Sequence, residues 1–234
     1  DKKTLISVSL ISLKESILFF LKENQMDISL NLVSDNSDEK FDKDIEKFLY
    51  SEKFKINKFK SKIKGNRGSY LECCDLSMKS DDLIFFVEDD YLFEKRCIDE
   101  MIFSYSRLST ILKKDIIMCP SDYPFYYDSL YSTSLHFGKN LRWRNVEETL
   151  LTILFSKEIF VNNLDNFRLV GEKINEPFEK PLHDLYKRLI CLAPVSSLSY
   201  HIGRDNPSIN EDYLSLWNIN LEIYNKYKSS SYHS

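Results

Sequence analysis

The sequence predicts an α/β fold with a mostly parallel central sheet flanked by helices, on three observations. Asp82-Leu83-Ile84-Phe85-Phe86-Val87-Glu88-Asp89-Asp90-Tyr91 sets five apolar residues directly against three acids. A run apolar at every position reads as a strand buried on both faces of a parallel sheet. Strand-like and helix-like stretches then alternate from about residue 28 to residue 119, the mark of βαβ units. Of the 234 residues, 43% are apolar and 29% charged, which sets the chain among globular proteins.

The elements follow in order. Residues 13–24 carry Leu13, Ile17, Phe20 and Leu21 at helical spacing. Residues 5–11 alternate Ile and Val with Ser, so they fit a strand or a helix. Residues 27–33 read as a strand closing on Ser34-Asp35-Asn36-Ser37-Asp38, a cluster of turn and cap formers. A helix over 39–50 with Phe41, Ile45, Phe48 and Leu49 on one face follows, then a strand near 54–59. Lys64-Gly65-Asn66-Arg67-Gly68 supplies a flexible turn before a helix of about 69–79. Beyond the strand at 83–87 come a helix over 94–113 and a strand at 115–119. Residues 121–128 are aromatic and loop-like, and 132–137 and 145–155 could pair as a hairpin across Gly138-Lys139-Asn140. Residues 178–189 read as a helix with Pro181 in its first turn, 193–201 as extended, and the C-terminus as a helix with a frayed polar tail.

A net charge of −4 gives no electrostatic reason to expect nucleic acid. No apolar stretch approaches the ~20 residues that span a bilayer. The five cysteines are odd in number and form no C-x-x-C pair, which points to a reducing, cytoplasmic setting rather than a disulfide framework. Cys73 and Cys74 read as helix core. With no internal repeat and no Pro- or Gly-rich linker, one domain over 1–234 is the economical organisation: 1–115, 116–205, and a C-terminal helix and tail over 206–234.

The acid run carries the chemistry. Ligands of open α/β sheets sit outside the carboxyl ends of the strands. Three carboxylates there repel one another unless a cation or donors offset them. Hard divalent ions are held by one or two carboxylates plus substrate phosphates, so the segment fits a metal–diphosphate site. It also fits a solvated acidic turn after a core strand.

The order Val33-Ser34-Asp35-Asn36-Ser37, then Asn66-Arg67-Gly68, then Glu88-Asp89-Asp90 resembles the nucleotide-binding half of GT-A glycosyltransferases, family 2 in particular. The matches correspond to the V-D-N-S-like motif, the N-x-G turn and the metal-binding D-x-D motif, with Glu in its first place, and cover about residues 28–92. The resemblance implies a GT-A (Rossmann-like) fold with a smaller acceptor-side hairpin. Asp35 would then accept a hydrogen bond from the base or ribose of a UDP- or GDP-type sugar, with Asn36, Ser37, Asn66, Arg67 and Gly68 around it. Asp90 would ligate Mn²⁺ or Mg²⁺ across the two phosphates, with Glu88 and Asp89 nearer the ribose. Asp35 and Ser37 are also good helix caps, and Arg67 fits an exposed turn.

The same resemblance implies an acid at the start of a helix that deprotonates the acceptor. Asp184 in Lys180-Pro181-Leu182-His183-Asp184-Leu185 is the candidate, with His183 where an acid usually stands and Glu147 and Glu148 as alternatives. His201 would add a metal ligand and Arg204 a phosphate contact. Trp143, between Arg142 and Arg144, would stack on an acceptor sugar or pack a hairpin. The implied activity is metal-dependent, inverting sugar transfer to a glycan or glycolipid hydroxyl, with any membrane association through acceptor or partner.

The N-terminus departs from the pattern, because the P-x-Y-N-like turn after a first strand is absent. Either residues 5–11 are a degenerate version of that strand, or it lies upstream of Asp1 in a longer chain. Two rivals remain. A sugar-1-phosphate nucleotidyltransferase would carry a Gly-rich basic N-terminal loop, which does not occur here. A degenerate GT-A module would bind nucleotide or glycan, or scaffold a larger chain, without turnover.

Overall fold

The computed structural model describes residues 1–35, 37–128, 132–202 and 213–231. Asn36 and Arg204, both expected at the site, lie outside the described residues. The α/β class holds: helices flank a six-stranded sheet, joined by a parallel pair and an antiparallel pair of strands.

Helix α1 spans Lys2–Phe20, with the Asp1 carboxylate accepting from Thr4 N at 2.8 Å. The strand alternative for residues 5–11 is therefore corrected. Their Ile–Ser alternation belongs to a helix buried on several faces, with Val8, Ile11, Leu13, Ile17 and Phe20 in the core. The serines face packed neighbours too: Ser12 Oγ accepts from Phe93 N and Ser16 Oγ from Ile98 N, both at 3.0 Å.

Strand β1 (Ser29–Ser34) pairs in parallel with β2 (Lys55–Lys60). Between them α2 (Glu39–Leu49) buries Phe41, Ile45, Phe48 and Leu49. Its N-cap is Asp38, whose carboxylate accepts from Phe41 N at 2.8 Å. Helix α3 (Asn66–Ser77) begins three residues before the expected start, capped by Gly65 at φ +90°. Its core-facing Cys74 is buried, and all five cysteines are free.

The large sheet runs β3 (Leu83–Phe86), β8 (Ile153–Ser156), β5 (Ile116–Met118), β9 (Ile190–Val195), β7 (Arg142–Val146), β6 (Leu135–Phe137). Strands β3, β5, β9 and β6 point one way, but β5–β9 is the parallel pairing among five. Strand β3 is an edge, bonded antiparallel to β8, and buries Ile84 and Phe86 while leaving Leu83 and Phe85 half-buried. A strand buried on both faces of a parallel sheet was expected there, so this is a second correction. The unbroken apolar run serves an edge strand packed on both sides by aromatic rings. Phe86 lies 5.0 Å from Phe155 and 6.4 Å from Phe167.

The hairpin turn falls where expected, with Phe137 opposite Arg142, but its second arm is β7, earlier than the expected 145–155, and β7 also joins the main sheet through β9. Residues 145–155 split between β7 and the separate strand β8. Helix α4 (Cys97–Leu112) anchors the turn through Glu100, a fully buried carboxylate that accepts from Asn140 N and Leu141 N at 3.0 and 3.1 Å. Helices α5 (Lys157–Asn162) and α6 (Leu164–Glu172) have no counterpart in the expectation. Helix α7 spans Lys180–Tyr186 and α8 Tyr213–Ser231. The short strands β4 (Tyr91–Phe93) and β10 (Ser199–His201) pair antiparallel beyond the end of β3. Among the described residues no helix is long and apolar enough to cross a membrane.

Candidate functional site

The carboxyl ends of β1 and β3 bracket the start of α1. Lys3 at that start pairs with Asp38 beyond β1, and the Lys2 charge acts on Asp89 beyond β3. Asp35 leaves the end of β1 and accepts from Gly65 N at 2.6 Å. The first expected motif therefore reaches the residue that precedes the second. Ser37 instead bonds to Ser34 and Asp42, inside the entry to α2.

The glycine turn is placed by packing. Gly68 is buried, and a Cβ on it would lie 1.8 Å from the Ile63 carbonyl oxygen. Asn66 is exposed. Arg67 donates from Nε to Gly171 O at 2.7 Å and from Nη2 to Glu172 O at 2.6 Å. Its guanidinium thus completes the C-terminal end of α6, where a cation suits the helix dipole. That contact accounts for Arg67 without a nucleotide.

The acid run is where groups converge. Register in the small sheet sets His201 opposite Tyr91. His201 Nε2 then lies 3.2 Å from Asp90 Oδ2, with its ring 5.1 Å from that of Tyr91. Ile202 N also donates to Asp90 O at 2.9 Å, closing the two strands on each other. Asp90 Oδ1 is buried without a hydrogen-bond partner, which is unusual for a carboxylate oxygen.

Glu88 is held by the segment before β8, accepting from Leu151 N at 3.2 Å while its own N–H donates to Thr152 Oγ1 at 3.2 Å. Burial, and then the charges of Asp90 and Glu179, push its carboxyl up to about 8, with His201 opposing. Asp89 is exposed beside it.

Asp184 sits elsewhere in character. It is exposed in the second turn of α7, 3.0 Å from Lys180 Nζ and 2.8 Å from Lys187 Nζ. The Lys187 hydrogen bond, and then that of Lys180, hold its carboxyl down to about 2. A carboxylate so stabilised is a weak proton acceptor. Glu147 and Glu148 are exposed, and His183 is buried with Nε2 2.9 Å from Thr149 O.

Sequence reasoning missed Glu179. It occupies the N-cap position of α7, is 8% exposed, and its charge acts on Glu88. Burial raises its carboxyl above the ordinary value, with the neighbouring His183 pulling the other way. The signal was Pro181 two residues on, which marks a helix start and puts the preceding acid at its head. Trp143 is fully buried, so the packing alternative holds and an acceptor stack on it is corrected.

Two residues, Asp90 and His201, approach closely enough to share a cation. Among the described residues no group of three or more His, Cys, Asp or Glu side chains is arranged to hold one alone. The orphaned Asp90 oxygen and an imidazole donor fit a hard or borderline ion completed by ligand oxygens.

No protein-family model and no curated protein matches the chain. Among solved structures it is similar to apo UDP-glucose pyrophosphorylase, at a TM-score of 0.48 and 11% identity over 94% of this chain and 87% of that one. A likeness at that level carries no functional argument.

Proposed function

We propose that the chain binds a nucleotide-diphosphate sugar with a divalent cation at the ends of β1 and β3 and transfers the sugar to a glycan hydroxyl with inversion. The observation that carries this reading is the Asp90–His201 pair, 3.2 Å apart, beside a buried carboxylate oxygen that lacks a partner. Asp90 and His201 would hold Mn²⁺ or Mg²⁺, and Asp35 would meet the nucleoside. When bound, the cation would offset charge on the departing nucleoside diphosphate as a Lewis acid.

Glu179 fits the base better than Asp184. Burial raises its carboxyl above the ordinary value and makes it the more basic of the two, whereas the lysine hydrogen bonds hold Asp184 at about 2. In the proposed step the acceptor oxygen bonds to the anomeric carbon as the bond from that carbon to the phosphate oxygen breaks. The hydroxyl proton passes to Glu179, and the electron pair leaves on the diphosphate.

A binding module without turnover is the second reading, favoured by the lack of a three-residue cation group among the described residues. The discriminating experiment incubates the protein with Mn²⁺ and a panel of UDP-, GDP- and CDP-sugars and measures nucleoside diphosphate release. Release from one donor, lost in Asp90→Asn, supports the transferase. Tight nucleotide binding with no release from any donor supports the binding module.

A further inference from the structure

The segment between β7 and β8 is buried without a ladder to satisfy its backbone. Thr149, Leu151 and Thr152 are all buried, and none of them lies in a strand or helix. Their polar groups must then be met by side chains from elsewhere.

Two of those side chains come from α7. His183 and Tyr186, three positions apart and both buried, reach the segment from the same side of the helix. The Tyr186 hydroxyl lies 2.9 Å from Thr149 Oγ1, and His183 Nε2 lies 2.9 Å from Thr149 O. Thr149 N is also 3.3 Å from Nε2. An unprotonated Nε2 accepting from it would set two acceptors 2.9 Å apart, so the proton sits on Nε2 and His183 donates to the carbonyl. The two grips differ in kind. Tyr186 holds a side chain that can turn about its own bond, whereas His183 holds the backbone.

The far end of the same segment holds the acid run. Leu151 N donates to Glu88 Oε2 and Glu88 N donates to Thr152 Oγ1, both at 3.2 Å. At the other end of the chain of contacts, His183 N donates to Glu179 O at 3.1 Å. Glu179 and Glu88, 91 positions apart, are thus joined through His183, Thr149 and Leu151.

We propose that His183 is a positioning residue: through the Thr149 carbonyl it fixes the 149–152 segment, and so sets Glu88, beside Asp90, against Glu179. That this spacing serves sugar transfer rests on the function proposed above, but the spacing itself does not. A carboxylate at 183 would face the Thr149 carbonyl acceptor to acceptor, so an acid cannot replace the imidazole here.

The test compares wild type with His183→Gln, His183→Asn and His183→Ala. Glutamine carries an amide nitrogen about where Nε2 sits, and asparagine is too short to reach Thr149. Two quantities are measured: hydrogen exchange at the Leu151 amide by NMR, and kcat and KM for UDP-, GDP- and CDP-sugars with Mn²⁺. Leu151 should exchange about tenfold faster in the asparagine and alanine variants and within about twofold of wild type in the glutamine variant. In the same two variants kcat should fall about tenfold with donor KM within about twofold, as for a misplaced reacting group. If the alanine variant does not fold, the glutamine–asparagine comparison carries the test. Exchange that is equal in all variants overturns the proposal, as does a glutamine variant that fails to restore it, or faster exchange with unchanged kcat. If wild type turns over no donor, the transfer reading fails, and the exchange pattern alone upholds or overturns the positioning of Glu88.

Discussion

His201 Nε2 lies 3.2 Å from Asp90 Oδ2, although the two residues are 111 positions apart. The β4–β10 register makes this contact, by setting His201 opposite Tyr91, one residue beyond Asp90. If the pair holds a cation, His201→Ala should weaken Mn²⁺ binding in the presence of nucleotide about tenfold or more, read by calorimetry. Unchanged affinity would make His201 a structural partner of Asp90.

Glu88 should make stability depend on pH in a particular direction. Its folded value of about 8 lies above the ordinary 4.5, so the fold favours the protonated form. The favourable contribution is complete below 4.5 and is lost as pH rises toward 8. Glu88→Gln should therefore melt like wild type at pH 4 and above it at pH 8, by at most about 4 kcal/mol. Equal melting at both pH values would contradict the assignment.

Glu100 should behave in the opposite sense. Its carboxyl is lowered by donors from Asn140, Ser104 and Leu141 that together outweigh its burial. The stability it adds is present above the ordinary carboxylate value of 4.5 and fades as pH falls through the lowered one. Glu100→Ala should cost about 3 kcal/mol at pH 7 in urea unfolding, because it strands several buried donors at once.

Gly68→Ala would force a Cβ to within 1.8 Å of the Ile63 carbonyl oxygen. The turn must shift, and with it Gly65, whose N–H bonds to Asp35. Overpacking of this kind costs about 1–3 kcal/mol. A lowered melting temperature together with weaker nucleotide binding is expected, and an unperturbed protein would show that the turn is looser than its contacts.

Glu179→Gln should reduce donor turnover about a hundredfold or more while leaving the nucleotide-induced melting shift intact. Asp184→Asn should change turnover little, since its two lysine partners already occupy the carboxylate. The reverse pattern would restore Asp184 as the base.

Much of the fold was legible locally. Phe41, Ile45, Phe48 and Leu49 recur at helical spacing and are buried in α2 as that spacing requires. The strands at β1, β2 and β5 and the hairpin turn also fall where pattern and turn residues put them. The illegible parts depend on partners distant in sequence. Residues 5–11 fit a strand because Ser7 and Ser9 alternate with apolar residues, and only the packing around α1 shows that both serines are interior. The apolar run of β3 could not reveal that β8 would pair with it antiparallel.

The site divides in the same way. The order of the three motifs is written in the chain, and Asp35 does reach the glycine turn. Arg67 was ambiguous because its acceptors, the carbonyls of Gly171 and Glu172, end a helix more than a hundred residues away. Asp184 and Glu179 are five positions apart, and only burial and the two lysines separate their chemistry.

The most direct measurement is the melting shift of wild type and Asp90→Asn with UDP, GDP and CDP, each with Mn²⁺ and with EDTA. A ligand at a hundred times its Kd stabilises by about 2.7 kcal/mol, enough to read clearly. The account predicts a shift with one nucleotide that needs Mn²⁺ and disappears in Asp90→Asn. A wild type that shifts with none of the three, or a variant that shifts like wild type, would contradict a nucleotide–cation site at Asp90 and His201.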